Sequence, residues 1–243
     1  MDLDDILIVG IAGGTASGKT TIAKRIAQAL GPERCLLLSH DRYYYDVAEP
    51  ELYNYDHPDA LETALLVENL RSLRAGDQAG LPDYDFPTHT RRPEPDWVHP
   101  RPLVLVEGIL VLEDADLRSQ MDLKVWVDCP DDLRLARRIR RDVSDRGRNL
   151  DGVLRRWLST VRPMHQRFVA PSRSFADLEL VGVGLIEPLV QSVLSAVERV
   201  RYDRAQVRDE EETGDWSDPV TTYSGVMAQV PELDSADGED TLK

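Results

Sequence analysis

The stretch GGTASGKT, residues 13–20, decides the fold of this chain. It follows the apolar run Ile6–Val9 and precedes TIAKRIAQAL, which has the spacing of an amphipathic helix. A strand, a glycine-rich turn and a helix in this order form a Walker A loop, in which backbone N–H groups surround a phosphate at a helix N-terminus. The predicted phosphate-binding residues are Gly13, Gly14, Thr15, Ala16, Ser17, Gly18, Lys19 and Thr20.

Two side chains of this loop have predicted roles of their own. Lys19 is expected to reach the β- and γ-phosphates, and the Thr20 hydroxyl is of the kind that commonly binds Mg²⁺. We therefore expect Mg²⁺ together with ATP or GTP, because nothing in the sequence distinguishes the two bases.

Further apolar runs alternate with helical patterns along the chain. Strands are predicted at 5–10, 35–38, 103–106, 123–128 and 178–182, and helices at 19–30, 59–75, 131–142, 150–168 and 186–202. This order predicts an α/β fold of the P-loop NTPase type, with a five-stranded parallel sheet and helices on both faces. We assign residues 1–202 to this domain.

Two segments break the alternation. The interval 77–102 contains six prolines and no apolar period, which is compatible with a hairpin insertion but not with a central strand. Residues 203–243 contain twelve acidic and three basic residues, so they are predicted to be a disordered acidic tail.

The overall charge excludes some partners. A net charge of −15 argues against a general affinity for nucleic acid or for acidic membranes. The chain has no 18-residue apolar run and begins MDLDD, unlike a signal peptide, so a cytoplasmic protein is expected. Cys35 and Cys129 are predicted to be buried thiols.

Acidic side chains follow two of the predicted strands. Asp41 lies just after the second strand and Glu107 ends the third. Because parallel sheets bind ligands at the carboxyl ends of their strands, both carboxylates are expected beside the phosphate loop. There a carboxylate can bind Mg²⁺ or accept the proton of an attacking hydroxyl.

An arginine-rich segment follows the fourth strand. Residues 131–148 contain seven arginines, and guanidinium groups pair well with phosphate oxygens. Its end, within 140–150, is predicted to be a lid that closes over the site. The sequence contains neither an N-K-x-D motif nor an L-S-G-G-Q motif, which favours transfer to a second substrate over plain hydrolysis.

Together these motifs resemble the uridine (uridine–cytidine) kinases, relatives of phosphoribulokinase, over roughly residues 5–180. The matching segments are GIAGGTASGKT (10–20), DRYY (41–44), NYDHPDA (54–60), YDF (84–86), HTR (89–91), EGIL (107–110), RD (141–142) and RGR (146–148). The resemblance implies phosphorylation of uridine and cytidine by ATP, and a homotetramer.

The resemblance also implies a role for each matching residue. It makes Asp41 the general base and a Mg²⁺ partner, with Thr20 and Glu107 holding the metal. The acceptor nucleoside would be bound by Asp56, Tyr84, His89, Arg138 and Arg148, with Asp56 and Arg138 on the ribose and Tyr84 and His89 at the pyrimidine. Lys19, Arg141 and Arg146 would act on the transferring phosphate.

The chain departs from the family pattern at two places. Arg156, a predicted substrate contact, stands where relatives commonly have glutamine, and residues 181–185 replace a P-R-G segment near the donor base. Two alternatives stay open: a phosphoribulokinase-like kinase acting on another small molecule, and a nucleotide-binding regulatory protein.

Overall fold

The computed structural model describes residues 6–50 and 53–213 of the chain. Its strands are β1 (Leu7–Ala12), β2 (Cys35–Ser39), β3 (Ala79–Leu81), β4 (Tyr84–Asp85), β5 (Thr90–Arg91), β6 (Asp96–Val98), β7 (Leu103–Glu107), β8 (Leu123–Asp128) and β9 (Leu178–Val181). Five of them form a parallel sheet in the order β2-β7-β1-β8-β9. The predicted sheet is therefore confirmed, with β1 at its centre.

Both faces of the sheet are buried, as a parallel sheet requires. Along β1 the side chains alternate, so that Ile8 joins one hydrophobic cluster while Leu7 and Val9 join the other. Leu66 and Leu70 belong to the Ile8 cluster, and the opposite cluster contains residues of two other helices.

The helices are α1 (Lys19–Leu30), α2 (Thr63–Arg74), α3 (Ala115–Ser119), α4 (Asp131–Ser144), α5 (Leu150–Arg156), α6 (Arg162–Met164) and α7 (Ile186–Thr213). Ile22 and Ile26 of α1 and Val190 and Val193 of α7 lie in the same cluster as Leu7. No helix within 6–50 and 53–213 is long and apolar enough to cross a membrane.

The helix predicted at 150–168 is not one regular α-helix. A π-helical turn at Trp157–Val161 separates α5 from α6, and a second, His165–Val169, follows α6. Pro163 lies between them and has no N–H to donate to the preceding turn, which favours a local change of helical register.

The last helix ends later than predicted. It continues past 202 to Thr213, because residues 203–213 are rich in Arg, Glu, Gln and Ala, which favour a helix as well as an exposed position. Residues 1–205 form one compact unit, and of the second unit, 206–243, the structure describes 206–213. The rest of the predicted acidic tail, 214–243, lies outside the described residues.

The proline-rich interval 77–102 forms the predicted hairpin. The outer pair joins β3 to β6, and the inner pair joins β4 to β5, both antiparallel. Tyr84 on β4 is buried, and His89 stands at the tip with a φ of 58°, a left-handed conformation uncommon for histidine. The hairpin thus presents an aromatic ring and an imidazole from one small element.

Candidate active site

The phosphate loop connects β1 to α1, and its first two glycines leave little room for a side chain. A Cβ on Gly13 would lie 2.5 Å from the Val127 carbonyl oxygen, and one on Gly14 would lie 2.3 Å from a guanidinium nitrogen of Arg134. The loop also contains Ala16 at a φ of 61°. A side chain at 13 would clash with the backbone of β8, and one at 14 would displace the guanidinium of Arg134 on α4.

Glu107, at the carboxyl end of β7, connects the loop to the neighbouring strand. Its carboxylate accepts hydrogen bonds from the Thr20 hydroxyl at 2.8 Å and the Ser39 hydroxyl at 2.9 Å, and lies 3.8 Å from the Lys19 ammonium. Only 5% of Glu107 is exposed. These contacts bring a buried carboxylate, a hydroxyl and a cation together at the sheet edge.

Asp41 lies in a short 3₁₀ turn, His40–Tyr43, that follows β2. Burial and the nearby Glu107 charge raise the pKa of its carboxyl group to about 6, against the opposing effects of Lys19 and Arg146. A carboxylate with a pKa near neutrality is suited to accept and release a proton.

Four arginines surround the buried carboxylate of Asp142 near the end of α4. Arg141 donates to it at 2.9 Å, and Arg138, Arg146 and Arg148 lie within 3.5 Å. Burial would raise the pKa of Asp142, but Arg141 and Arg138 outweigh this effect and hold it below its ordinary value. One carboxylate therefore orients four cations, three of them on the predicted lid.

A second group of polar residues lies where the hairpin meets the loop after the 3₁₀ turn. His89 Nδ1 is 2.8 Å from the Tyr55 hydroxyl. The buried Tyr84 hydroxyl has no well-formed hydrogen bond within the described part of the chain. Burial lowers the pKa of His89, and the charges of Arg156 and Arg148 lower it further, which favours the neutral imidazole.

Asp56 and Arg138 lie close enough to influence each other. Burial raises the pKa of Asp56 despite the opposing charges of Arg138, Arg156 and Arg148, and the Arg138 guanidinium donates to the Thr15 hydroxyl at 3.0 Å. Arg138 therefore contacts the phosphate loop and faces the Asp56 carboxylate.

Almost all predicted site residues line one cleft of about 830 Å³: Thr15, Ala16, Ser17, Gly18, Lys19, Thr20, Asp41, Asp56, Tyr84, His89, Glu107, Arg138, Arg141, Arg146, Arg148 and Arg156. Gly13 and Gly14 do not line the cleft; they lie against Val127 and Arg134. The Arg156 guanidinium donates to the Pro50 carbonyl oxygen at 3.4 Å.

The donor set fits a magnesium ion. Thr20, Glu107 and Asp41 offer oxygen ligands beside the phosphate loop, as Mg²⁺ prefers. The described residues contain no group of three or more His, Cys, Asp or Glu side chains that could hold a metal. A site with one or two carboxylates suits an ion that takes its other ligands from phosphates and water.

Several contributing residues were not predicted. Ser39 binds Glu107, Tyr55 holds His89, Asp142 orients the arginines, and Arg137 donates to the Gly182 carbonyl oxygen at 2.9 Å beside the loop. Tyr55 and Asp142 lie in the matching segments 54–60 and 141–142, and Ser39 directly follows the predicted second strand. The sequence feature that could have indicated the role of Asp142 is its position within a segment of seven arginines.

We predict that Asp142→Asn lowers the free energy of unfolding by about 2–3 kcal/mol, because it leaves four guanidinium groups without their buried counter-charge. Urea denaturation measures this. Asp145→Asn, three residues on and exposed, is the control, with an expected change within about 0.5 kcal/mol. Equal effects of the two substitutions would contradict the role given to Asp142.

Known proteins similar to this chain agree with the geometry. The Phosphoribulokinase / Uridine kinase family matches residues 8–184. A uridine kinase of Chloroflexus aurantiacus is 44% identical over 197 residues, covering 79% of this chain and 94% of the relative. A uridine kinase of Lactococcus lactis subsp. cremoris is 41% identical, and the match covers 78% of this chain and 98% of the relative.

Solved structures share the fold at low identity. Phosphoribulokinase from Rhodobacter spheroides has a TM-score of 0.54 at 17% identity, and the match covers 72% of this chain and 70% of that protein. A possible uridine kinase from Bacillus stearothermophilus has a TM-score of 0.53 at 20% identity, and the match covers 72% of this chain and 88% of that protein. With its own phosphate loop and strand-end carboxylates, the chain belongs to the phosphoribulokinase/uridine kinase family of P-loop kinases.

Proposed function

We propose that this protein transfers the γ-phosphoryl group of ATP to the 5′-hydroxyl of uridine, and that cytidine is a second acceptor. One observation carries the proposal: the phosphate loop, Asp41 and the hairpin residues Tyr84 and His89 line the same cleft. The uridine kinase relatives, which match most of the chain, support uridine as the acceptor.

The donor half of the cleft is built from the phosphate loop and the lid arginines. Lys19, Arg141 and Arg146 supply positive charge where the transferring phosphoryl group would lie. Thr20 and Glu107 would hold Mg²⁺, with Asp41 as a further partner. When bound, Mg²⁺ neutralises charge that develops on the phosphate oxygens.

Asp41 is positioned to act on the acceptor. Its pKa responds to Glu107 and Lys19 on the donor side and to Asp56 on the other, so its carboxylate is near both halves of the cleft. In the proposed step Asp41 accepts the 5′-hydroxyl proton while the 5′-oxygen bonds to the γ-phosphorus. The bond from that phosphorus to the bridging oxygen breaks, and ADP leaves with the bond electrons.

The other half of the cleft suits a nucleoside. Asp56 can accept hydrogen bonds from ribose hydroxyls, and Arg138 and Arg148 can donate to them. Tyr84 and His89 line this half of the cleft, and we assign the Tyr84 hydroxyl and His89 Nε2 to the base edge. Because neutral imidazole can donate or accept, depending on its tautomer, it suits both O4 of uridine and N4 of cytidine.

Two further expectations remain predictions: the homotetramer that the resemblance implies and the cytoplasmic location expected from the sequence. The segment 181–185, where the chain departs from its family, lies beside the loop, since a Cβ on Gly182 would be 2.4 Å from the Ser17 carbonyl oxygen. Gly182 and Gly184 also line the cleft, which supports a donor pocket formed partly by this segment.

An acceptor panel tests the proposal. We expect ADP release from Mg-ATP to rise at least tenfold with uridine or cytidine, and not with ribulose 5-phosphate, which has no base for Tyr84 and His89 to bind. Release stimulated by the sugar phosphate alone would favour the phosphoribulokinase-like alternative. Release stimulated by neither would favour a nucleotide-binding regulatory protein.

A substitution at Asp41 tests the mechanism. Asp41→Asn keeps the size of the side chain but cannot take up the proton, so kcat with uridine should fall by roughly 10²- to 10⁴-fold. Steady-state kinetics and a thermal melt measure activity and folding together. Asp59→Asn, at an exposed acid beyond the cleft, serves as the control and should retain activity. An active and folded Asp41→Asn enzyme would remove the general base from the mechanism.

A further inference from the structure

Arg91 lies on the hairpin strand that supports both base-facing side chains. It pairs in register with Tyr84 across β4 and β5 and follows His89 by two residues. Arg91 does not line the cleft. Any effect of its side chain on the reaction must therefore pass through the residues that it holds.

The Arg91 side chain binds the last residue of the Asp41 turn and the residue after it. Its Nε donates to the Tyr44 carbonyl oxygen and its Nη2 to the Tyr43 carbonyl oxygen, each at 2.7 Å. Its Nη1 donates to the Glu62 carboxylate at 2.5 Å. Glu62 in turn donates its own backbone N–H to the Tyr43 carbonyl oxygen at 2.8 Å.

This arrangement needs the geometry of arginine. Three donors of one planar group point at three acceptors, and the group is mostly buried, with 21% of the side chain exposed. A lysine ammonium has one nitrogen and cannot reach all three acceptors at these distances. The contact therefore fixes both the position and the orientation of β5 against the turn.

A second arginine, on the Asp41 turn, binds the hairpin segment. Arg42, the neighbour of Asp41, donates through Nε to the Pro82 carbonyl oxygen at 2.8 Å and pairs with Asp96 of the hairpin at 3.1 Å. The His89 carbonyl oxygen also accepts a hydrogen bond from the backbone N–H of Val47 at 3.3 Å. The hairpin and the Asp41 turn are thus connected in both directions.

We propose that Arg91 is a positioning residue that couples the recognition of the nucleobase to the placement of Asp41. When the base occupies the hairpin, Arg91 holds the Tyr43–Tyr44 backbone, and with it the Asp41 turn, in the arrangement that the reaction needs. The identity of the acceptor rests on the proposed function, whereas the coupling rests on the contacts of Arg91. Binding energy of the base is in this way used to raise kcat.

A double-mutant cycle tests the coupling. Arg91→Lys keeps the charge but loses the fork, and should lower kcat/KM for uridine by roughly 10- to 100-fold while leaving KM for ATP within about twofold. In a His89→Ala background one of the two side chains assigned to the base is lost and the coupling is weakened, so adding Arg91→Lys should lower kcat/KM by less than about threefold. A role in folding alone would give the same cost in both backgrounds.

The neighbouring Arg92 provides the control. Its side chain is 66% exposed and pairs with Asp83 at the surface, so Arg92→Lys should leave kcat/KM within about twofold. If Arg91→Lys fails to fold, Glu62→Gln weakens the same contact and replaces it in the cycle.

Two results would overturn the inference: wild-type kinetics for Arg91→Lys, or equal costs with and without His89. If wild-type protein fails to act on uridine, the proposed function fails, and the cycle is then run with the acceptor found by the panel. Equal costs with that acceptor would still overturn the coupling.

Discussion

The site depends on the carboxylate of Glu107. It lies at the carboxyl end of β7, next to β1 and β2, and accepts hydrogen bonds from Thr20 on α1 and Ser39 on β2. A buried carboxylate is stable only if its oxygens are satisfied, so the phosphate loop and the second strand are held together around it. Asp41 follows directly from that strand, and its pKa responds to the same charge.

Positive charge from the arginines that line the same cleft balances this acidic centre. The arginines near the end of α4 converge on Asp142, which keeps four mutually repelling guanidinium groups close together. The chain is acidic overall, yet its cleft concentrates cations where phosphates are expected. The distribution of charge, not its sum, therefore indicates the chemistry.

The sequence predicted the elements with strong local signals. The apolar runs located the five sheet strands, and prolines located the hairpin, because these features depend on residues adjacent in the chain. It did not predict the π-helical turns near Pro163, the extension of α7 to Thr213, or the roles of Asp142 and Arg91. The role of Arg91 depends on a partner far away in sequence, Glu62, which a local pattern does not record. The π-helical turns and the extension of α7 have local causes, Pro163 and helix-forming residues, but the apolar spacing does not register them.

The central claim is that donor and acceptor meet at Asp41 in one cleft. A crystal structure with Mg²⁺, a non-hydrolysable ATP analogue and uridine measures it most directly, through the distance from the Asp41 carboxylate to the uridine 5′-oxygen. The account predicts a hydrogen bond of about 2.6–3.2 Å, with uracil against Tyr84 and His89. A 5′-oxygen beyond the reach of Asp41, or uracil bound away from the hairpin, would contradict it.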